Sequence, residues 1–209
     1  MKQLSILLLF SAFLHACSET IPEKPIDQSS VVQLTINNKR DAHLVDWISY
    51  YQTQDSKFSL EQFKFESIDT LQFMQGSVKG SFDEGYDPIY NDYLVLNAAK
   101  DQYIDFDSYQ WSVGTHKTAQ FSPDQEINWV DKHKKTVTRI GFLGPSQWVE
   151  NAFWENKSTV VLLENSDENV LRIIKIDLNR KIATTFKYGS SLKSKSKYAT
   201  KRLMKHGLE

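Results

Sequence analysis

The sequence predicts a mainly β protein, an antiparallel meander of sandwich-like or propeller-blade-like form, with one short N-terminal helix. Three observations carry this. Short runs rich in β-branched and aromatic residues recur between Gln62 and Tyr188. Tight polar turns at 131–135, 156–157 and 179–181 separate several of them, and links this short join antiparallel neighbours, because parallel strands need long crossovers. Only one stretch, Asp41 to Tyr51, spaces its apolar residues as a helix does.

In chain order, 31–36 (Val-Val-Gln-Leu-Thr-Ile) partly alternates and predicts a strand ending at Asn37-Asn38. In 41–51, Leu44, Trp47, Ile48 and Tyr51 recur at three- and four-residue steps behind Asp41, whose carboxylate suits an N-cap. Further strands are expected over 62–68, 76–82, 92–97, 102–105, 125–130, 136–142, 152–154, 158–163, 170–178 and 182–188. The order strand, turn, strand, Trp-containing segment, strand, turn, strand from 125 to 188 is that of propeller blades. The chain would hold only about four blades of about 40–45 residues each, and no repeated signature runs along it. A sandwich, or a partial meander flanked by the helix, fits equally well.

Ahead of the β-rich region the chain carries Lys2 and then an apolar block, 4–14, the pattern of a secretory signal. The block is about half of the roughly 20 residues that a membrane-crossing helix needs. It ends in Leu14-His15-Ala16-Cys17, which holds the sole cysteine of the sequence. These four residues resemble the lipobox of bacterial lipoproteins: an aliphatic residue three before the cysteine and a small one just before it. The resemblance implies diacylglyceryl attachment to the Cys17 sulfur, cleavage after Ala16 and acylation of the new amino terminus. Two or three such chains make a stable membrane anchor. It implies a cell-envelope location and, if the host has two membranes, the outer one, since Ser18 follows the cysteine. The chain then divides into a signal peptide (1–16), a tether (17–30) with Pro22 and Pro25, a β-rich domain (31–188) and a basic tail (189–209). A broader likeness to exported β-rich lipoproteins of bacteria, carried by the lipobox, the Tyr86-to-Tyr109 stretch and the strand series from Trp148 to Ile176, assigns no activity.

Aromatics at 12% and charged residues at 24% suit a folded protein rather than a disordered one. With one cysteine, no internal disulfide can form, so stability must come from burial. The net charge of −1 gives no sign of nucleic-acid binding, and an exported lipoprotein rarely meets nucleic acid.

The common catalytic fingerprints are missing. There is no Gly-x-Ser-x-Gly elbow, no His-Glu-x-x-His zinc helix, no Gly-x-Gly-x-x-Gly and no phosphate-cradling loop ending in Gly-Lys-Ser/Thr. His43, His116, His133 and His206 are far apart, with no pair at ligand spacing, so neither a metal nor a cofactor is expected. These absences weigh against an enzyme.

The most unusual segment runs from Phe82 to Trp111, where eight aromatics stand among seven acids and one base. Aromatic faces stack on sugars, peptides or cations, and carboxylates accept hydroxyl hydrogen bonds. Tyr86, Tyr90, Asp92, Asp105, Asp107, Tyr109 and Trp111 are therefore the candidate ligand surface. The competing reading is structural: in 103–107, Tyr-Ile-Asp-Phe-Asp, alternate residues would face opposite sides of a sheet, apolar inward and acidic outward. The residues from Lys187 on carry seven bases against Glu209, whereas 17–186 hold an excess of eight acids. Such a tail can stay solvated, fold back on the acidic body, or lie on anionic headgroups or an acidic partner.

The expected function is that of a membrane-anchored envelope lipoprotein, a binding or interaction module for an envelope protein or glycan. The alternatives are a glycan hydrolase using carboxylates among Asp83, Asp87, Asp92, Asp105 and Asp107, and an inhibitor or immunity lipoprotein.

Overall fold

Helix α1 (Ala42–Gln52) forms where the apolar spacing put it, and Asp41 caps it by accepting from the His43 backbone N–H at 2.9 Å. Its inward stripe, Leu44, Trp47 and Tyr51, is buried. At about 1.5–3 kcal/mol per fully buried large side chain, that stripe rather than intrinsic propensity holds the helix in place. The computed structural model describes residues 32–115, 118–190, 192 and 194–207. Cys17, the signal segment and the tether therefore lie outside the described residues.

Twelve strands follow: β1 (Phe63–Thr70), β2 (Met74–Gln75), β3 (Val95–Leu96), β4 (Gln102–Asp105), β5 (Trp111–Val113), β6 (Ala119–Phe121), β7 (Gln125–Asp131), β8 (Thr136–Leu143), β9 (Gln147–Trp154), β10 (Thr159–Ser166), β11 (Arg172–Asp177) and β12 (Ile182–Tyr188). A second helix, α2 (Tyr198–Met204), closes the order. The protein is mainly β and antiparallel, as the sequence predicts. One sheet has the order β1-β12-β11-β10-β9 and the other β2-β8-β7-β4-β3, with β5 and β6 as a separate hairpin. β9 to β12 are a four-stranded meander, and β1 adds to its far edge with Phe63 opposite Tyr188; the blade-like run read over 125–188 is therefore divided, with β7 and β8 in the other sheet.

Strand periodicity explains the layers. In β10, Val160 and Leu162 enter a core shared with Ile104, Ile127 and Ile140 of the other sheet, so the two sheets pack face to face. Val161 and Leu163 point the other way, into a core with Leu44, Trp47 and Tyr51 of α1. A β-bulge interrupts β9: Val149 pairs with Glu164 and Asn151 with Leu163, leaving Glu150 as the extra residue. The bulge turns both Glu150 and Asn151 towards the helices. There Glu150 accepts from the Trp47 indole at 2.9 Å and the Tyr51 hydroxyl at 2.5 Å, and Asn151 donates to the Tyr198 hydroxyl at 2.7 Å.

Several expected elements differ. Residues 32–36 form no strand; Lys175 donates to the Thr35 carbonyl, and just beyond them the Asn37 N–H donates to Glu155. Gly76 extends the β2–β8 ladder by donating to the Val137 carbonyl at 3.0 Å, and residues 77–82 then lie across the outer face of the second sheet, with Val78 and Phe82 against Tyr103, Val130 and Val137. Ser77 bonds through its backbone N–H and hydroxyl to Glu126, and the Ser81 N–H reaches the Tyr103 hydroxyl at 2.8 Å. A Cβ on Gly76 would stand 2.3 Å from Asn128 Oδ1, so only glycine permits this approach. The strand expected over 92–97 shrinks to Val95–Leu96 behind a 3-10 turn, Pro88–Tyr93, that Asp87 caps. β9 starts five residues before the expected 152, since the bulge hides its alternation. The β5–β6 hairpin and α2 were not expected at all.

Candidate functional site

The aromatic and acidic segment folds into a socket for α2. Arg202 forms a two-pronged pair with Asp107, at 3.0 and 2.6 Å, and the Trp111 indole N–H donates to the same carboxylate at 2.8 Å. The guanidinium also lies over the Phe106 ring at 4.8 Å and the Tyr93 ring at 5.8 Å. Next along the helix, Leu203 is buried against Tyr90, Tyr93 and Trp111. The tail thus folds back on the acidic body, with a planar fork on a carboxylate as its central contact.

Each candidate surface residue has a definite place. Tyr90 is buried and donates to the Trp111 carbonyl at 2.7 Å. Asp105 is buried, accepting from the Asp107 and Ser108 backbone N–H groups at 3.0 Å each and from the Ser108 hydroxyl. Burial pushes its carboxyl above the usual range, against the opposing pull of the Ser108 hydrogen bonds. Asp107 and Trp111 are buried in the socket. Tyr86 is half-buried, with its hydroxyl on Asn91, and Tyr109 packs edge-on against Phe142. Of the two aspartates at 92 and 107, only Asp92 is exposed. The segment therefore brings Tyr90, Asp105, Asp107 and Trp111 together as a core, while Tyr86, Asp92 and Tyr109 stay on its margin.

On the far side of α2, Tyr198 donates to Asp46 at 2.8 Å and Lys205 reaches the other oxygen of Asp46 at 2.7 Å. Lys197 sits beside Tyr50, through its backbone N–H at 2.8 Å, so α2 runs antiparallel to α1. Burial, then the Asp46 hydrogen bond, pushes the Tyr198 hydroxyl well up, and burial with Glu150 does the same for Tyr51. Both remain protonated donors, which Asp46 and Glu150 require.

An open cavity among the described residues lies elsewhere, where the edges of the two sheets meet. A cleft of about 870 Å³ runs between Asn38, Asp41 and His43 before and within α1, the β3–β4 hairpin from Val95 to Gln102, and the β9–β10 turn from Trp154 to Lys157. A smaller cavity of about 320 Å³ adjoins it, sharing His43 and Val95 and walled by Arg202, Lys205 and His206 of the tail. Trp154 ties the two sheet edges by donating its indole N–H to the Val95 carbonyl at 2.8 Å.

The ladder geometry makes this rim an open strand edge. The Asn97 N–H bonds to the Gln102 carbonyl at 2.9 Å, so that pair is the hydrogen-bonded one and the next, Leu96 with Tyr103, is not. The Leu96 N–H and C=O therefore point away from β4, towards the cleft. Asp41, Asp101 and Glu155 line it against Lys157, giving an acidic bias. Glu155 is held by Lys175 at 2.8 Å, whereas the Asp101 side chain is 34% exposed, with Asn97 donating to its Oδ1 at 2.7 Å and the exposed His133 ring 3.9 Å from its Oδ2.

No family model, curated protein or solved structure matches the chain. Function therefore rests on the geometry. Among the described residues no three His, Cys, Asp or Glu side chains gather as a metal site, and no helix is long and apolar enough to cross a membrane. Of the cleft residues, Leu96, Ala98 and Asp101 fall within the 82–111 segment, but none of them is among the candidate surface residues. The cleft lining comes from hairpins distant in the chain, and only the 156–157 turn stood out as a turn.

Proposed function

We propose that this protein is a lipid-anchored envelope lipoprotein, attached through Cys17, whose β-sandwich binds an extended segment of a partner protein in the cleft between β3 and β9. The observation that carries the reading is the outward Leu96 edge beside a cavity of about 870 Å³ with acidic lining. An extended chain could pair with that edge and present basic or polar side chains to Asp41 and Asp101. Exposed aromatic platforms favour sugars, but the aromatic here, Trp154, is only 8% exposed and fixed by its bond to Val95. A protein segment therefore suits the cleft better than a glycan.

The hydrolase alternative loses support from the same geometry. Asp105 and Asp107 are committed to backbone groups, Trp111 and Arg202, and Asp83 and Asp87 cap local turns. An inhibitor or immunity lipoprotein would be one form of the binding reading, with the target's segment as ligand.

Two measurements test the proposal. Cells expressing the protein with an alkyne-tagged fatty acid should label the wild type and not Cys17→Ala; an unlabelled wild type would refute the anchor. A photo-crosslinking residue at Asn156 should capture a specific protein in intact cells, and Ala98→Trp, which fills the cleft, should abolish the adduct. An adduct that survives Ala98→Trp would remove the cleft from the reading.

A further inference from the structure

We propose that the helical face of the domain, the outer surface of α1 and α2, lies directly on anionic lipid headgroups. This rests on the lipid-anchor reading for the nearness of a membrane, and on three independent features of the fold for the choice of face.

The first is where the chain enters. Leu34 and Ile36 pack into the core between α1 and the first sheet, and Lys175, from β11, holds the Thr35 carbonyl. The polypeptide leading back to Cys17 therefore joins the domain in the helical layer. The described chain begins on the side of α1 and α2.

The second is charge. Lys195, Lys197, Lys201 and Lys205 are all exposed along α2 and its approach, with His206 following. Of the nearby acids, Asp46 takes Lys205 and Tyr198 and Asp107 is enclosed with Arg202, while the exposed Asp92 lines the small cavity beside Lys205 and His206. Lys201 lies over the Tyr50 ring at 5.5 Å, while Lys195 and Lys197 have no acid partner among the described residues. Asp167 and Glu168, in the β10–β11 turn, bound the patch on one side. Each lysine near an anionic surface adds on the order of 1 kcal/mol of attraction.

The third is apolar exposure. Val45 of α1 is 46% exposed and Met204 of α2 is 55% exposed. Met204 lies between Lys201 and Lys205 on α2, and an apolar side chain so placed can enter the headgroup boundary, as on amphipathic helices that lie along a membrane. The partner fitting all three features is a lipid surface with negative charge.

The test uses the processed form, residues 17–209 carrying Cys17→Ala, so that neither an acyl chain nor the apolar 4–14 block contributes, with flotation on phosphatidylglycerol-containing vesicles and on pure phosphatidylcholine vesicles. The protein should favour the anionic vesicles, and raising the salt should release it. Lys195→Glu/Lys197→Glu/Lys201→Glu should weaken anionic-vesicle binding by at least about tenfold. Lys79→Glu/Lys132→Glu/Lys135→Glu, an equal charge change on the side of the second sheet, should bind as the parent does. Near-ultraviolet circular dichroism of both triple variants establishes that they fold. Equal binding to both vesicle types, or equal loss in both triple variants, would overturn the proposal. Because acylation is absent throughout, these outcomes stand apart from failure of fatty-acid labelling at Cys17.

Discussion

The contact between Arg202 and Asp107 shows how one residue can decide whether a segment belongs to a fold. Asp107 is 1% exposed and shares its two oxygens between the guanidinium and the Trp111 indole. Without Arg202 the carboxylate would be left in a low-dielectric site with one neutral donor, a loss of about 3–5 kcal/mol for a broken buried pair. Arg202→Ala should therefore lower the urea midpoint strongly. Arg202→Met/Asp107→Asn should recover part of the loss, since it removes both charges together. If the double variant were as unstable as the sum of the single ones, the charge pair would not be what binds the tail.

Among the elements, α2 is a short helix held by what surrounds it. Seven residues cannot sustain a helix in water; this one persists because Tyr198, Leu203 and Arg202 each find a buried partner. Truncation after Ser190 should expose Trp111, shifting its fluorescence to the red, and should lower the melting temperature by several degrees or more. An unchanged Trp111 environment would mean that the socket closes without the helix. The way each element is encoded also explains how much of it was legible beforehand. α1 was readable because Leu44, Trp47, Ile48 and Tyr51 all turn to one core, and β4, β7, β8, β10, β11 and β12 because their runs alternate between two. α2 was hidden, since its seven residues are too few for an apolar period and its stability comes from Asp107 and Asp46, distant in the chain. The 31–36 run had strand composition but no strand to pair with. In the candidate surface the sequence offers two readings of 82–111, a ligand surface or a structural segment, because composition cannot separate a buried carboxylate from a solvated one; for Asp107 the partner, Arg202, does that.

At the scale of the whole molecule, the sandwich stores a pH dependence at Glu164. This β10 residue is 3% exposed, and burial pushes its carboxyl up to about 7 from 4.5, although Arg172 at 3.4 Å pulls the other way and is shared with Glu66 at 2.7 Å. Because the folded value lies above the unfolded one, the protonated form favours folding. Its contribution is complete below about pH 4.5 and is lost as the pH rises through 7. The loss is on the order of 3 kcal/mol. Chemical denaturation across that window should show the wild type losing stability relative to Glu164→Gln as the pH rises; parallel curves would show that Glu164 does not titrate there. The pairing of β1 with β12 has a consequence of another kind. Thr70 lies opposite Ile182, so the first sheet cannot gain its outer strand until almost the entire domain has been synthesised. Closing so wide a loop is slow compared with zipping the β9-to-β12 meander. During that interval β1 waits alone while the meander offers an open edge at β12, a period in which a chaperone could hold the chain and a neighbouring copy could take the vacant place.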